Sequence, residues 1–264
     1  KSTLVNNIVG SKVSIVSHKV QTTRRRILGI ALANETQIVL VDTPGIFKPR
    51  RELDEAMVKA AWDAPDGADL NILMVDVARK DLDGSRKILK DLAKVSTKTP
   101  IILCLNKVDQ VEKEKLFDLA HEFSQIADVE KIFMISALKG KGVDDLVQYL
   151  EKKLPESNWL YDEDQLTDMP MRAYAAEITR EHAYRLLHQE IPYNLAVETE
   201  EWESFKNGDA KVHQVIYVRK SSHKPVVLGK NGTKVRQISQ AARRWLCRHE
   251  HCARGESTGG GCEA

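Results

Sequence analysis

Apolar residues enter this chain in two rhythms. Four short runs are almost wholly apolar: 37–41 (Gln-Ile-Val-Leu-Val), 70–75, 100–105 and 131–135. Each has strand length, and none alternates with polar residues. Between them the apolar positions recur every three or four residues, over 82–94 and 113–127, as on one face of a helix. A shorter helical pattern covers 2–9 and stops at Gly10. Continuously apolar strands separated by helices predict a mostly parallel sheet buried on both faces, a doubly wound α/β domain over residues 1–155.

The pattern then changes. Residues 156–170 are polar and acidic, with Trp and Tyr interspersed, and read as a linker. Beyond them 171–188 reads as a helix, 193–199 and 212–219 as strands, Val226-Val-Leu as a short strand and 233–246 as a helix. This predicts a second, α+β domain over 171–246, followed by a divergent tail, 247–264, expected to be disordered.

Charge sharpens the contrast between the halves. The chain has 264 residues and a net charge of +2, yet no Asp or Glu occurs from Ala210 to His249. That stretch holds ten Lys or Arg, which points to an anionic partner for the second domain. No run approaches the ~20 apolar residues of a membrane span. Four cysteines in a chain this long make no disulfide framework and suit a reducing cytoplasm. Cys247, His249, His251 and Cys252 are too crowded in one short segment for an ordinary zinc site, so this stretch is read as solvated tail.

The strand ends carry the chemistry, because ligands of such sheets bind at the carboxyl ends of strands. After the first run come Asp42, Thr43, Pro44 and Gly45. A carboxylate there can hold Mg²⁺ through water, and Gly45 lets its backbone N–H approach a γ-phosphate. After the third come Asn106, Lys107, Val108 and Asp109. The Asp109 carboxylate offers two acceptors to the adjacent N1–H and amino donors of guanine, whereas adenine presents an acceptor in place of N1–H. After the fourth come Ser136, Ala137 and Leu138, whose backbone can reach guanine O6. The chain itself opens Lys1-Ser2-Thr3, the ending of a phosphate-binding loop: Lys1 for the β- and γ-phosphates, Ser2 for Mg²⁺, and the helix N-terminus for anions. Thr22 and Thr23, in Gln-Thr-Thr-Arg, can complete a Mg²⁺ shell when a γ-phosphate is present, which makes that segment a switch. Together these predict a GTP/GDP site with Mg²⁺ held by Ser2, Thr23 and Asp42, and Lys1, Thr22, Thr23 and Gly45 as the catalytic set. In the second domain Gly229, Lys230, Asn231 and Gly232, with Lys234 behind them, form a GxxG loop of the kind that clamps an RNA backbone in KH modules.

A guanine-nucleotide domain followed by a GxxG domain resembles the Era family of bacterial ribosome-assembly GTPases. The resemblance spans about residues 1–246. It is carried by Lys-Val-Gln-Thr-Thr-Arg (19–24), Asp-Thr-Pro-Gly-Ile-Phe-Lys-Pro (42–49), Glu-Ile-Pro-Tyr (190–193) and Val-Val-Leu-Gly-Lys-Asn-Gly-Thr-Lys-Val (226–235). It implies a P-loop GTPase fold followed by a type II KH domain. It further implies GTP hydrolysis, binding near the 3′ end of small-subunit rRNA, assistance to small-subunit assembly, and peripheral association with the inner membrane. A monomer is expected. Ile46 stands where Ras-like enzymes carry the Gln that orients water, so hydrolysis is expected to be slow.

Two departures qualify the resemblance. The first strand and the glycines of the phosphate loop do not precede Lys1, which reads as a record beginning inside a gene. After Leu246 no apolar run supplies a last KH strand, as a frameshift would leave it. A competing reading is therefore an RNA-binding KH module whose nucleotide domain is inactive in this form.

Overall fold

The computed structural model describes residues 1–17, 22–46, 52–63, 67–95, 98–187, 191–207 and 209–249. Residues 18–21, 47–50 and 190, which contribute to the family pattern, and the tail from 250 on lie outside the described residues. The chain divides into two compact units. One comprises Lys1–Ser14 and Thr23–Leu166; the other comprises Ile15–Thr22 and the chain from Thr167 on.

The first unit opens with helix α1 (Ser2–Val9), closed by Gly10 at φ 72°, a left-handed position that glycine adopts without a Cβ penalty. Strands β1 (Ile27–Ala33) and β2 (Thr36–Asp42) form an antiparallel hairpin turned through Asn34 at φ 52°. Next come α2 (Glu52–Asp63), β3 (Asn71–Asp76), α3 (Asp83–Val95), β4 (Ile101–Asn106), α4 (Lys113–Ser124), β5 (Lys131–Ile135) and α5 (Val143–Lys153). The three strands β3, β4 and β5 form a parallel ladder with β4 in the middle.

Strand β4 shows why its run is continuously apolar. Ile101, Leu103 and Leu105 pack with Leu89 and Leu92 of α3 and Leu116, Leu119 and Phe123 of α4. Ile102 and Cys104 face the other way, toward Leu4 of α1, Ile38 of β2 and Val143, Leu146 and Leu150 of α5. Both faces are covered, as expected of a parallel sheet between helices. Burial pushes the Cys104 thiol up to about 12, so it behaves as a small apolar side chain.

Three expectations change. The parallel ladder is confined to β3–β5, while β1 and β2 pair only with each other in the described residues. Strand β1, Ile-Leu-Gly-Ile-Ala-Leu-Ala, escapes the sequence pattern because Gly and Ala carry little β propensity. Its Gly29 is there for space: a Cβ would lie 2.6 Å from Val5 Cγ1 and 3.0 Å from Val9 Cγ2 of α1. Gly29→Ala should therefore destabilise the first unit by about 1–3 kcal/mol through overpacking. Denaturant midpoints of the two proteins would check this. Finally, much of the stretch read as a linker belongs to the first unit. Trp159 Nε1 donates to Glu35 O (3.0 Å), Gln37 Oε1 accepts the N–H groups of Leu160 and Tyr161 (2.9 and 3.0 Å), and Ile30 N–H reaches Leu166 O (2.9 Å).

The second unit contains α6 (Met171–Leu186), β6 (Leu195–Ser204), β7 (Ala210–Val218), α7 (Lys224–Leu228) and α8 (Thr233–His249). Strands β6 and β7 are antiparallel, with an irregularity between Thr199 and Glu201. Ala183 and Leu187 meet Leu195, Val227 and Ile238 in one core cluster. Ile178, Ala242 and Ile15 form another, so Ile15 packs within this unit. Arg180, which is buried, donates to the Thr22 carbonyl (2.8 Å) and pairs with Glu177. The Val226-Val-Leu run is helical. Pro225 sits in the first turn of α7, where its fixed φ suits a helix and no N–H is needed. Helix α8 also runs three residues past Leu246.

Candidate functional site

The carboxyl ends of β2 and β4 bring most of the sequence-predicted groups together. Asp42, at the end of β2, is 2% exposed. Its Oδ2 accepts from Ser2 Oγ (2.6 Å), Ser14 Oγ (2.9 Å) and Thr23 Oγ1 (3.3 Å). Ser2 and Thr23 hydroxyls also lie 3.0 Å apart. Asp42 Oδ1 is buried and has no hydrogen-bond partner among the described residues. A buried carboxylate oxygen left unpaired beside two hydroxyls is the donor set that a hard, oxygen-seeking cation such as Mg²⁺ takes.

Lys1 bridges the start of α1 to the turn after β2. Its Nζ donates to Thr43 Oγ1 (3.0 Å) and to Pro44 O (2.9 Å). The residue is exposed overall, but crowding around the ammonium holds its pKa below the usual lysine value, against the pull of Asp42. Thr3 lies in the first turn of α1, and Gly45 and Ile46 follow Pro44 in chain without regular secondary structure. The Thr22 hydroxyl lies 2.7 Å from Ser17 Oγ and its carbonyl accepts from Arg180, both within the second unit. The adjacent threonines thus face different partners, and Thr23 is the one at Asp42.

The second group surrounds the end of β4. Asn106 Oδ1 accepts the Ala137 N–H (2.9 Å), tying the two loops. Lys107 is left-handed at φ 71°, and its Nζ pairs with Asp76 Oδ2 at 2.7 Å. The Ser136 hydroxyl, and then Lys139, whose Nζ lies 3.1 Å from Asp109 Oδ2, hold the Asp109 carboxyl below the usual range. Leu138 is exposed. Helix α1 links the two groups, since Asn7 Nδ2 reaches Ala137 O at 3.5 Å.

In the second unit the GxxG loop joins α7 to α8. Gly229 (φ 71°, ψ 175°) has a backbone conformation essentially restricted to glycine. A Cβ there would lie 3.0 Å from Lys234 N. Asn231 (φ 51°) and Gly232 (φ 73°) are left-handed, and Lys230 and Asn231 are exposed. Successive turns expose backbone at the N-terminus of α8, where anions are favoured.

Comparison with known proteins is consistent across both units. Residues 1–107 match the 50S ribosome-binding GTPase family, and residues 190–252 match the KH domain family. GTPase Era of Agrobacterium fabrum is 52% identical over 246 residues, 93% of this chain and 77% of that protein. GTPase Era of Rhizobium meliloti is 53% identical over 244 residues, 92% and 77% respectively.

The chain belongs to the Era family of GTPases.

Two solved Era structures share its fold. One, in complex with MgGDPNP and nucleotides 1506–1542 of 16S ribosomal RNA, has a TM-score of 0.86 and 34% identity, covering 93% of this chain and 83% of that one. The other is a point variant of Aquifex aeolicus Era bound to GDP.AlF4-, with a TM-score of 0.85, 35% identity and the same coverages. In the sequence, strand ends and glycines mark the candidate site residues. Three polar residues around the candidate site are not among them: Ser14, Asn6 and Asp76. Asp76 carried a usable signal, an acid closing an apolar run as Asp42 does. Ser14 and Asn6 carried none, being polar residues with no spacing that marks them.

Proposed function

We propose that this chain binds and hydrolyses GTP in its first unit and clamps small-subunit rRNA with the GxxG loop of its second, assisting assembly of that subunit. The observation that supports it most is the joining of two groups through α1: a cation-facing set at Asp42 and a guanine-facing set at Asn106–Asp109. The RNA arm rests on the acid-free run 210–249, the Gly229–Gly232 geometry and the rRNA-bound relative.

Each residue has a part in this reading. Asp109 accepts from the guanine edge, Asn106 ties the loops around the base, and the Lys107 stem packs on the base face. Lys1 and the first turn of α1 hold the phosphates, and the Gly45 N–H meets the γ-phosphate. Asp42, Ser2 and Thr23 hold Mg²⁺, which when bound neutralises charge on the β- and γ-phosphates. Ile46 offers no group to orient water, so the chain alone hydrolyses GTP slowly and acts as a timer. Thr23 makes the 22–23 segment responsive to the γ-phosphate, so GTP and GDP forms differ in RNA affinity. The protein works as a cytoplasmic monomer that contacts the membrane peripherally through its basic surface; no helix among the described residues is long and apolar enough to cross a membrane.

Calorimetric titration of the chain with GDP and with ADP, in Mg²⁺ buffer, tests the nucleotide arm. GDP should bind and ADP should not. Equal binding of the two, or of neither, overturns it.

A further inference from the structure

Among the groups around Asp42, Ser14 is the one that no motif explains. It is 1% exposed, and its Oγ donates to Asp42 Oδ2 at 2.9 Å. Its backbone is fixed with unusual completeness. Asn6 Oδ1 accepts the N–H groups of Val13 and Ser14, each at 2.9 Å, and Asn6 Nδ2 donates to Ser14 O at 2.7 Å. One amide thus grips both polar groups of the Ser14 backbone, using three of its four hydrogen-bonding positions. The left-handed Gly10 turns the chain so that residues 13–14 run back past Asn6 on α1.

We infer that Ser14 is a positioning residue for the metal carboxylate, and that Asn6 acts through it. The inference rests on the proposed Mg²⁺ role of Asp42. Ser2 and Thr23, the other hydroxyls on Oδ2, are also the proposed metal ligands, so their geometry follows the nucleotide state. Ser14 has no such duty. Its hydroxyl pins Oδ2 from within the fold and fixes the rotation of the carboxylate, leaving the unpartnered Oδ1 aimed where a metal-bound water donates. Without Ser14 the carboxylate can turn about its last torsion, and the aim of Oδ1 is lost. A hydroxyl donating to a charged acceptor is worth about tenfold in an equilibrium constant.

Release of a fluorescent GDP analogue from the 264-residue chain, followed across a Mg²⁺ series down to excess EDTA, tests this. Ser14→Ala should raise the half-saturating Mg²⁺ concentration about tenfold and leave the EDTA-limited release rate unchanged. Asn6→Ala should shift it the same way, but add nothing in the Ser14→Ala background, although it lowers the thermal midpoint further. A purely structural role would move the thermal midpoint and not the Mg²⁺ dependence. Ser14→Cys, similar in shape with a weak donor, serves if the alanine protein does not fold. A half-saturating Mg²⁺ concentration within about twofold of the unsubstituted chain overturns the inference. If the unsubstituted chain releases the analogue at the same rate with and without Mg²⁺, the metal reading of Asp42 fails, and the role of Ser14 with it.

Discussion

Asp109→Asn should convert the guanine preference into one for xanthine. The carboxylate presents two acceptors, matching two donors on guanine; an amide puts a donor where one acceptor stood, facing the amino group of the base. Two charge-assisted hydrogen bonds are lost or reversed, each worth about 1.5–3 kcal/mol, so GDP affinity should fall by about a hundredfold or more. Xanthine carries a carbonyl in place of the amino group, so the same amide now finds an acceptor and xanthosine diphosphate should gain affinity. The substitution also removes the charge that Lys139 pairs with, at 3.1 Å, but that pair is on the surface and its loss is small. Competition of xanthosine and guanosine diphosphates for the substituted chain is the measurement. Retained preference for guanine would remove Asp109 from the base-recognition role.

Gly232→Asp should weaken RNA binding while leaving the second unit folded. At Gly232 an added Cβ meets open space, the nearest atom being Val235 Cγ1 at 4.0 Å. The left-handed backbone there costs a side chain about 1–2 kcal/mol, less for Asp, which tolerates that region. The new carboxylate would stand in the loop that approaches phosphates, and two like charges about 4 Å apart repel by roughly 4 kcal/mol at an intermediate dielectric. Even half of that is about thirtyfold in affinity. Gel-shift titration with a single-stranded rRNA segment, beside a thermal melt, separates the two effects. Unchanged affinity in a folded protein would mean that the RNA clamp lies elsewhere.

The legible parts of this molecule are those where burial writes a pattern. Strand β4 is apolar from Ile101 to Leu105 because helices cover both its faces, and that run fixes the place of Asn106 and Asp109. Gly229 and Gly232 are legible because both hold positive φ values that favour glycine. Strand β1 is not: Gly29 is selected by the close approach of α1, a tertiary fact that also strips the strand of its β signature. Helix α7 is too short for periodicity to separate it from a strand, and only Pro225 hints at it. Ser14 is invisible for a third reason. Its meaning lies in a carboxylate 28 residues away, and a lone serine looks the same whether or not it has such a partner.

Cys104 gives the chain a built-in clock. It lies in the middle strand, two residues before Asn106, under Leu4, Ile38 and Leu146, and burial raises the pKa of its thiol. An alkylating reagent reaches it only when those neighbours part. The rate of its modification therefore times how often the nucleotide domain opens, one molecule at a time and without denaturant. Any ligand that slows that clock has closed the domain around the very strand that ends in its base-recognition motif.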